Sequence, residues 1–460
     1  KAPGRRRARR MMSKSSGAAL LALLLASPCS SVVLSRLGRR KPAGLSSSNV
    51  ERVKSYWKHD GSELSERLAE MIRLTPSLQR PVYMPTPWAR KSKANFVLAT
   101  ARSRLGAIRR KMEPPLNGGR GRTTDCGDPD LTVEWCKDAV GVSLPPEAPI
   151  CVFLHTITGT AAQTRWLMDV ASLRGYRSCV FVRRGHSGRE LSAPSFNLLG
   201  AIDDVELQLA AMRRTFPEAS FLGMVGVSAG SAQLISYLGR AGTSTPIGAA
   251  CAVCPAWDVR EAFGRMATEQ PLAERAMLKQ IRRNFVRRNE RLLRAWDSDA
   301  VDACYAAKSL PEMLDAHAPF ALRRRGATGD EYHAAHDPMA DCHSIGVPTL
   351  LINAEDDFVC SIELAQPEAV TAKAGALLLV TRSGSHVAFN EGAFGTGSFH
   401  TRVSFDFLDS ARAVAANEAE PAVGASQHQG DATRGVVVPL SVGGVPRRDA
   451  ETRATGRRLE

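Results

Sequence analysis

The stretch Phe221-Leu-Gly-Met-Val-Gly-Val-Ser228-Ala-Gly-Ser-Ala-Gln-Leu-Ile-Ser-Tyr237 decides the fold of this chain. Its apolar first part, Phe221 to Val227, is typical of a buried parallel strand, and Ala232 to Leu238 is typical of a helix. Between them lies Gly226-Val-Ser-Ala-Gly230, a G-x-S-x-G sequence. In so tight a turn, side chains two positions before and after the serine would clash, so both positions are Gly. The segment therefore predicts a strand, a sharp turn that exposes the Ser228 hydroxyl, and a helix.

Ser228 is the predicted nucleophile of this turn. The free N–H groups and the positive dipole end of the following helix lie where the oxyanion of an acyl-transfer intermediate would form. We expect the oxyanion hole to combine the N–H of Ala229 with one from the loop after His155, supplied by Ile157 or Thr156. The alternative is a small-residue turn with an idle serine, because short motifs also match by chance.

Apolar runs alternate with helical patterns along the middle of the chain. This repeated β-α-β order predicts a mostly parallel sheet covered by helices on both faces, with sites beyond the carboxyl ends of its strands. The predicted strands are Ile150–Leu154, Ser178–Val182, Phe221–Val227, Gly248–Val253, Pro348–Asn353 and Ala376–Val380. Helices are predicted at 161–174 and 202–216, and a hairpin at 124–135.

A serine nucleophile needs a base, and the base needs an acid that fixes its tautomer. With this turn the chain order is serine, acid, histidine. His386 follows the last predicted strand in a Gly-Ser loop and is the predicted base. The preceding strand ends in carboxylates, where Asp356 and Asp357 compete for the acid. Glu355 and Asp258 are further alternatives.

Residues 258–345 interrupt the strand pattern with helical stretches alone. An insertion at this point predicts a helical cap over the site. One part of the cap is basic, and its cations interleave with apolar residues. Either it is a solvated helix packed on its apolar side, or it is a face for anionic lipid or a phosphate head group. The cations are Arg275, Lys279, Arg282, Arg283, Arg287, Arg288, Arg291 and Arg294, and the apolar residues include Leu278, Ile281 and Phe285.

The 460 residues are 44% apolar and carry a net charge of +15. Much of the basic excess lies near the amino end, no nucleic-acid motif accompanies it, and aromatic residues make up only 6%. We therefore expect no nucleic-acid partner. The ten cysteines suggest no disulfide framework. His333 and His336, with Asp341 and His343 nearby, have no completing ligand pattern, so no metal is expected.

Both ends of the chain differ in composition from the middle. Residues 1–48 place arginines before the apolar run Ala18–Ala26, which predicts a signal or transit segment, or an anchor, and with it membrane association or an organellar route. Residues 49–119 are predicted to form an N-terminal extension that begins with one or two polar helices over Asn49–Leu74. The catalytic domain is predicted at 120–410, and a disordered tail at 411–460.

With these motifs in order, the chain resembles the α/β-hydrolase superfamily. It is most similar to the branch with bacterial YheT-like hydrolases and the eukaryotic abhydrolase-domain proteins 1 and 3, the AB hydrolase 4 family. The resemblance spans residues 83–408. It rests on the pieces Asp128–Trp135, His155–Gly159, Arg184-Gly185, Phe216-Pro217, Gly226–Gly230, Tyr237–Gly239, Pro255–Asp258, Lys308–Asp315, Val347–Asp357 and Gly384–Phe389.

The resemblance implies an α/β-hydrolase fold with a helical cap and a triad of Ser228, Asp357 and His386. It favours Asp357 because the family's acid is the second of the Asp pair. It also implies hydrolysis of carboxylic esters, with lipids or phospholipids as substrates, and no cofactor. Thr156 departs from the family's pattern, in which a Gly follows the histidine. An acyltransferase with the same triad and a non-catalytic binding protein on this fold are the alternatives.

Overall fold

The computed structural model describes residues 50–112, 123–136, 144–372 and 375–419. The predicted targeting segment 1–48 and positions 420–460 lie outside the described residues. The strands are β1 Glu51–Arg52, β2 Lys54–Tyr56, β3 Val82–Tyr83, β4 Thr123–Asp125, β5 Thr132–Trp135, β6 Ile150–Leu154, β7 Arg177–Val182, β8 Leu222–Val227, β9 Ala249–Val253, β10 Thr349–Ala354, β11 Ala376–Thr381, β12 Asn390–Glu391 and β13 Gly397–Ser398.

Helices cover the sheet and connect its strands. The α-helices are α1 Glu63–Leu74, α2 Pro76–Gln79, α3 Ser92–Met112, α4 Ala161–Leu173, α5 Ile202–Thr215, α6 Ala229–Ala241, α7 Val259–Glu269, α8 Pro271–Ile281, α9 Glu290–Trp296, α10 Ser298–Ala306, α11 Leu310–Ala321, α12 Gly329–Ala335, α13 Pro338–Asp341, α14 Pro367–Val370 and α15 Phe399–Ala419. A π-helical stretch, Arg282–Val286, and a 3-10 turn, Arg287–Asn289, separate α8 from α9.

Within the described residues the main sheet has nine strands, in the order β2-β11-β10-β9-β8-β6-β7-β5-β4. The six strands from β11 to β7 run parallel, and β2, β4 and β5 are antiparallel additions at the edges. The prediction of a mostly parallel sheet is confirmed. Register aligns the carboxyl ends of the central strands, because Leu154 pairs with Gly226 and Val227 pairs with Val253. The loops after these strands therefore meet at one edge of the sheet.

The core forms on both faces of this sheet, since the parallel strands are buried along their whole length. Alternate residues point to opposite faces. Phe153 of β6 packs in a cluster with Phe405 and Leu408 of α15. Its neighbour Val152 packs on the other face with Leu209 of α5 and Leu234 of α6. Apolar runs without a polar alternation therefore fold as interior strands.

The region between β9 and β10 is helical, as the sequence predicts. Helices α7 to α12 and the π-helical stretch between α8 and α9 enclose a separate apolar cluster that includes Phe263, Phe285 and Phe320. The same cluster contains Ile157 and Ala229, which come from the loop after β6 and the start of α6. The cap therefore shares its core with the edge of the sheet that carries Ser228.

Two expectations about the chain's outer segments were wrong. Lys54–Tyr56, expected in a polar helix, instead forms an edge strand that pairs with β11, and the first helix begins only at Glu63. A three-residue edge strand has too few side chains to show a strand period. The tail was predicted to begin at 411, but α15 continues to Ala419 because Ala411 and Val414, at helical spacing, are buried in the core.

Over the described part of the chain, none of the helices combines the length and apolarity that a bilayer crossing requires. The cysteines in that part, Cys126 among them, are free and buried. Burial raises the pKa of the Cys126 thiol to about 11. The interpretation of these cysteines as buried thiols is confirmed for the described residues.

The serine turn generates a stability prediction. A Cβ on Gly230 would lie 2.2 Å from the Leu154 carbonyl oxygen, and the backbone there cannot yield without separating β6 from α6. Gly230→Ala should destabilise the fold by about 3 kcal/mol, as overpacking does. Gly264→Ala is the control, because a Cβ there meets nothing within 4 Å. Within helix α7 that change should stabilise by about 1 kcal/mol. Equal melting temperatures for Gly230→Ala and wild type would contradict this account of the turn.

Candidate active site

Ser228 occupies the turn that the sequence predicts. Its backbone has φ 55° and ψ −120°, a conformation that a non-glycine residue adopts only under constraint. The constraint comes from both sides, because the Ser228 N–H donates to the Val253 carbonyl at 2.9 Å and the Ser228 carbonyl accepts from Ser231 N–H at 2.8 Å. Gly226 allows this geometry, since a Cβ there would lie 2.5 Å from the Gly230 carbonyl oxygen.

The structure brings Ser228, His386 and Asp357 together. His386 Nε2 lies 2.9 Å from Ser228 Oγ, and its Nδ1 lies 3.0 Å from Asp357 Oδ2. All three residues are more than nine-tenths buried. The carboxylate can only accept, so it fixes the tautomer with the proton on Nδ1 and leaves Nε2 to accept from the serine hydroxyl. The catalytic roles of the three residues remain predictions that this geometry permits.

The two neighbouring aspartates have different positions. Asp357 Oδ1 accepts from the backbone N–H groups of Val359 and Cys360 at 2.8 and 2.9 Å, which stabilise its charge. Asp356 Oδ1 instead accepts from Ser385 N–H at 2.7 Å, and burial raises the pKa of this carboxyl to about 6. Asp357 therefore contacts the histidine ring, and Asp356 holds the loop that carries the histidine.

The other acid candidates are engaged elsewhere. Glu355 forms an ion pair with Lys54 at 2.7 Å. Asp258 caps helix α7, where its side chain accepts from Glu261 N–H. Neither carboxylate contacts His386, so the geometry distinguishes the four acid candidates that the residues alone left open.

The loop around His386 has an unusual backbone. Ser385, Val387 and Phe389 all have positive φ, at 56°, 54° and 43°. Positive φ at a β-branched residue such as Val387 costs free energy and persists only where the surroundings impose it. The Ser92 hydroxyl, at the start of α3, contacts both the Asp356 carbonyl at 2.8 Å and Ser385 Oγ at 3.0 Å. Helix α3 thus supports the histidine loop from outside the sheet.

The residues predicted for the oxyanion hole lie beside the serine turn. Ala229 begins α6 and is 5% exposed, and Ile157 is equally buried in the cap cluster. The loop after β6 approaches closely, because a Cβ on Gly230 would lie 2.8 Å from the His155 carbonyl oxygen. Thr156 lies between His155 and Ile157 in this loop and is half-buried. The three predicted donors are therefore near Ser228, and their role as donors remains a prediction.

Sequence reasoning missed two residues that hold this loop. Buried Arg183 donates to the carbonyl oxygens of His155 and Thr156, the latter at 2.6 Å. His186 Nε2 lies 2.9 Å from the Ile157 carbonyl oxygen. Burial lowers the pKa of His186 to about 3, so the ring is neutral and donates one N–H. The sequence signal was Arg183-Arg-Gly-His186, a polar run at the carboxyl end of a predicted strand.

These contacts fix the direction of the loop amides. In a trans peptide the N–H points away from the C=O of the same plane. Because Arg183 binds the His155 and Thr156 carbonyls, the N–H groups of Thr156 and Ile157 point away from the guanidinium. Arg183 is itself anchored to the Leu198 carbonyl at 2.7 Å. The loop therefore presents two successive amides on the side opposite Arg183.

Two of the histidines weighed as metal ligands, His336 and His333, face other groups of the protein. His336 Nδ1 and Nε2 face the carbonyl oxygens of Tyr332 and Gly200 at 2.8 and 2.9 Å. His333 Nε2 lies 3.5 Å from Asp315. In the part of the chain that the structure describes, the grouping closest to a ligand set is Cys254 with Asp357 and His386. Burial raises the pKa of Cys254 well above its usual value, which disfavours the thiolate that a metal requires.

The chain is similar to several known proteins. The sequence profile described as "Alpha/beta hydrolase family" matches residues 151–394. A mouse (Mus musculus) protein named phospholipase ABHD3 is 27% identical over 325 residues, which cover 67% of this chain and 74% of that protein. Human (Homo sapiens) protein ABHD15 is 28% identical over 47% of this chain and 45% of its own. The solved structure of the Pyrococcus furiosus esterase Pf2001 has a TM-score of 0.41 and 15% identity, over 64% of this chain and 98% of that one.

The different contacts of Asp357 and Asp356 predict different effects of mutating them. Asp357→Asn should lower kcat for a soluble ester by about 10⁴-fold, because the amide cannot hold the required histidine tautomer. Asp356→Asn keeps an oxygen that accepts from Ser385 N–H, so its loss should stay within about tenfold. Steady-state kinetics on the two purified variants, with melting temperatures as the folding check, measures both. A larger loss at 356 than at 357 would move the acid to Asp356.

Proposed function

This chain belongs to the alpha/beta hydrolase family, and from that premise we propose that it is a serine hydrolase that cleaves carboxylic esters through an acyl-enzyme. The observation that carries the proposal is the continuous contact from Ser228 Oγ through His386 to Asp357, with heavy-atom distances of 2.9 and 3.0 Å. A serine hydroxyl becomes a useful nucleophile only when such a base accepts its proton. A non-catalytic binding protein would have no need of all three side chains in contact.

In the proposed reaction, Ser228 Oγ attacks the ester carbonyl carbon while its proton moves to His386 Nε2. The tetrahedral intermediate then collapses, the carbon–oxygen bond to the alcohol breaks, and His386 returns the proton to the leaving alkoxide. Water, deprotonated by the same nitrogen, then attacks the acyl-serine carbonyl carbon. The bond from that carbon to Ser228 Oγ breaks, His386 returns the proton to Oγ, and the carboxylic acid leaves. Asp357 stabilises the imidazolium that forms in each half of the reaction.

The developing oxyanion needs donors that are in place before the reaction. We assign these to the N–H of Ala229 and to the loop amides of Ile157 and Thr156. Support comes from Arg183, which binds the His155 and Thr156 carbonyls in the same peptide planes as these two amides. His186 binds the next carbonyl of the loop, that of Ile157. Since these donors lie in a buried region, they should act in a low dielectric, where a hydrogen bond to an anion is worth more than in water.

We propose lipid or phospholipid acyl esters as the substrates. The relative named phospholipase ABHD3 supports this class, as does the resemblance to the AB hydrolase 4 branch. The predicted site also adjoins an apolar region, because Ile157 and Ala229 share a cluster with Phe263 and Met266 of the cap. An acyl chain bound there would gain the free energy of leaving water. The proposed role of residues 1–48 is to bring the chain to a membrane.

The proposal predicts the behaviour of two serine variants. Ser228→Ala should lower hydrolysis of p-nitrophenyl esters by at least about 10⁴-fold and abolish labelling by a fluorophosphonate probe. The matched control is Ser236→Ala on the same helix, since Ser236 is buried and its hydroxyl has no partner among the described residues. The control should keep both activity and labelling. Equal labelling of wild type and Ser228→Ala would contradict the assignment of the nucleophile.

A further inference from the structure

Three large apolar side chains protrude from one region of the surface. Phe394 is 71% exposed, Val97 65% and Trp88 50%. A soluble protein often exposes single apolar residues, but adjoining ones mark a contact surface. Within residues 50–112, 123–136, 144–372 and 375–419, these three rank with Leu272 of the cap as the most exposed large apolar residues.

These side chains lie on adjoining segments. The Trp88 indole N–H donates to the Ala393 carbonyl at 2.9 Å, next to Phe394. Leu98, which follows Val97 on α3, contacts Gly395, where a Cβ would lie 2.6 Å from Leu98 Cδ2. The start of α3, the turn before it and the loop after β12 therefore form one face. We call Trp88, Val97, Phe394, Arg90, Lys91 and Lys93 the Trp88 surface.

Cations flank the apolar residues of this surface. Arg90, Lys91 and Lys93 are exposed, and none of them forms an ion pair with another described residue. The nearby acid Glu391 is buried and paired with Arg402 at 2.7 Å. Positive charge beside exposed Trp and Phe fits a surface that is negatively charged and apolar beneath, as an anionic lipid bilayer is.

The Trp88 surface adjoins the candidate active site. Ser92 of α3 bonds to the Asp356 carbonyl and to Ser385, so its contacts are with residues adjacent to Asp357 and His386. Phe96, one turn along α3, packs edge to face on Phe358 with ring centroids 5.3 Å apart. Phe358 in turn follows Asp357 in the chain. A membrane on this face would therefore lie beside the loops that carry the acid and the base.

The basic stretch of the cap has a different character. Its residues Leu278, Ile281 and Phe285 are at most 3% exposed, so they do not face lipid. Phe285 packs on His186 and Phe196, with ring centroids 4.6 and 5.7 Å apart. The exposed side of this stretch offers Arg283, Arg287 and Arg291. Charge alone attracts a protein to a bilayer, whereas insertion needs exposed apolar side chains as well.

We propose that the Trp88 surface docks on anionic lipid and so places the active site at the bilayer that supplies its ester. This inference rests on the proposed function, because it concerns how the enzyme reaches an ester in the bilayer. Trp88, Val97 and Phe394 enter the head-group region, where the indole ring finds both an apolar and a polar environment. Arg90, Lys91 and Lys93 bind the lipid phosphates, so docking weakens as salt rises.

The test uses the full chain carrying Ser228→Ala, so vesicle binding is measured apart from catalysis. Binding to phosphatidylglycerol–phosphatidylcholine vesicles is compared for Arg90→Glu/Lys91→Glu/Lys93→Glu and for the cap control Arg283→Glu/Arg287→Glu/Arg291→Glu, which changes the net charge equally. The first triple variant should lose affinity about tenfold or more, and the control much less. The opposite order, or equal loss in both, would overturn the proposal.

A second measurement tests the Trp88 surface even if residues 1–48 bind the protein to the vesicle by themselves. Brominated lipids quench the fluorescence of a tryptophan that enters the bilayer. Quenching should be clear for Ser228→Ala and should fall sharply when Trp88→Phe is added. Unchanged quenching would overturn the proposal.

On the active enzyme, the Arg90, Lys91 and Lys93 reversals should reduce hydrolysis of vesicle lipid and spare a soluble ester. Hydrolysis of a soluble ester does not involve the Trp88 surface. If the wild-type enzyme failed to hydrolyse a soluble ester, that result would count against the proposed function alone.

Discussion

The close approach of β6, β8 and α6 is the constraint on which the rest of the site depends. Gly230 lies so near the Leu154 carbonyl that no side chain fits, and the Ser228 backbone is held at positive φ by bonds to Val253 and Ser231. Packing of fully buried strands against the helix stabilises this strained turn. One contact therefore fixes the serine hydroxyl and brings the loop after β6 beside it.

Support for the site comes from residues that do not react. Arg183 and His186 hold the carbonyls of the loop after β6, and Asp356 and Ser92 hold the loop that carries His386. The cap joins the same network, because Phe285 packs on His186. The cap therefore packs on a ring that also binds the Ile157 carbonyl in the loop after β6. Such support lets reacting groups keep their geometry without reorganising during the reaction.

The fold was predictable where a pattern repeats along the chain. Apolar runs predicted the parallel strands, and strand-end loops singled out Ser228 and His386. The residues alone left Asp356 and Asp357 open, since adjacent residues share a strand end and differ only in direction. The resemblance favoured Asp357, and Asp357 is the one that contacts His386. The role of Arg183 depends on contacts across space with His155 and Thr156, and sequence spacing carries no signal for these. The edge strand at Lys54–Tyr56 was not predicted, because three residues are too few to show the alternation of a strand.

An acyl group on Ser228 is the central claim, and rapid acid quenching measures it most directly. The enzyme is mixed with a p-nitrophenyl ester, quenched within one turnover and digested with trypsin. Mass spectrometry should then find the acyl mass on the peptide Thr215–Arg240, at Ser228. The modification should appear with the first burst of p-nitrophenol and decay as the acid is released. Full turnover without any acyl mass on that peptide would contradict the account.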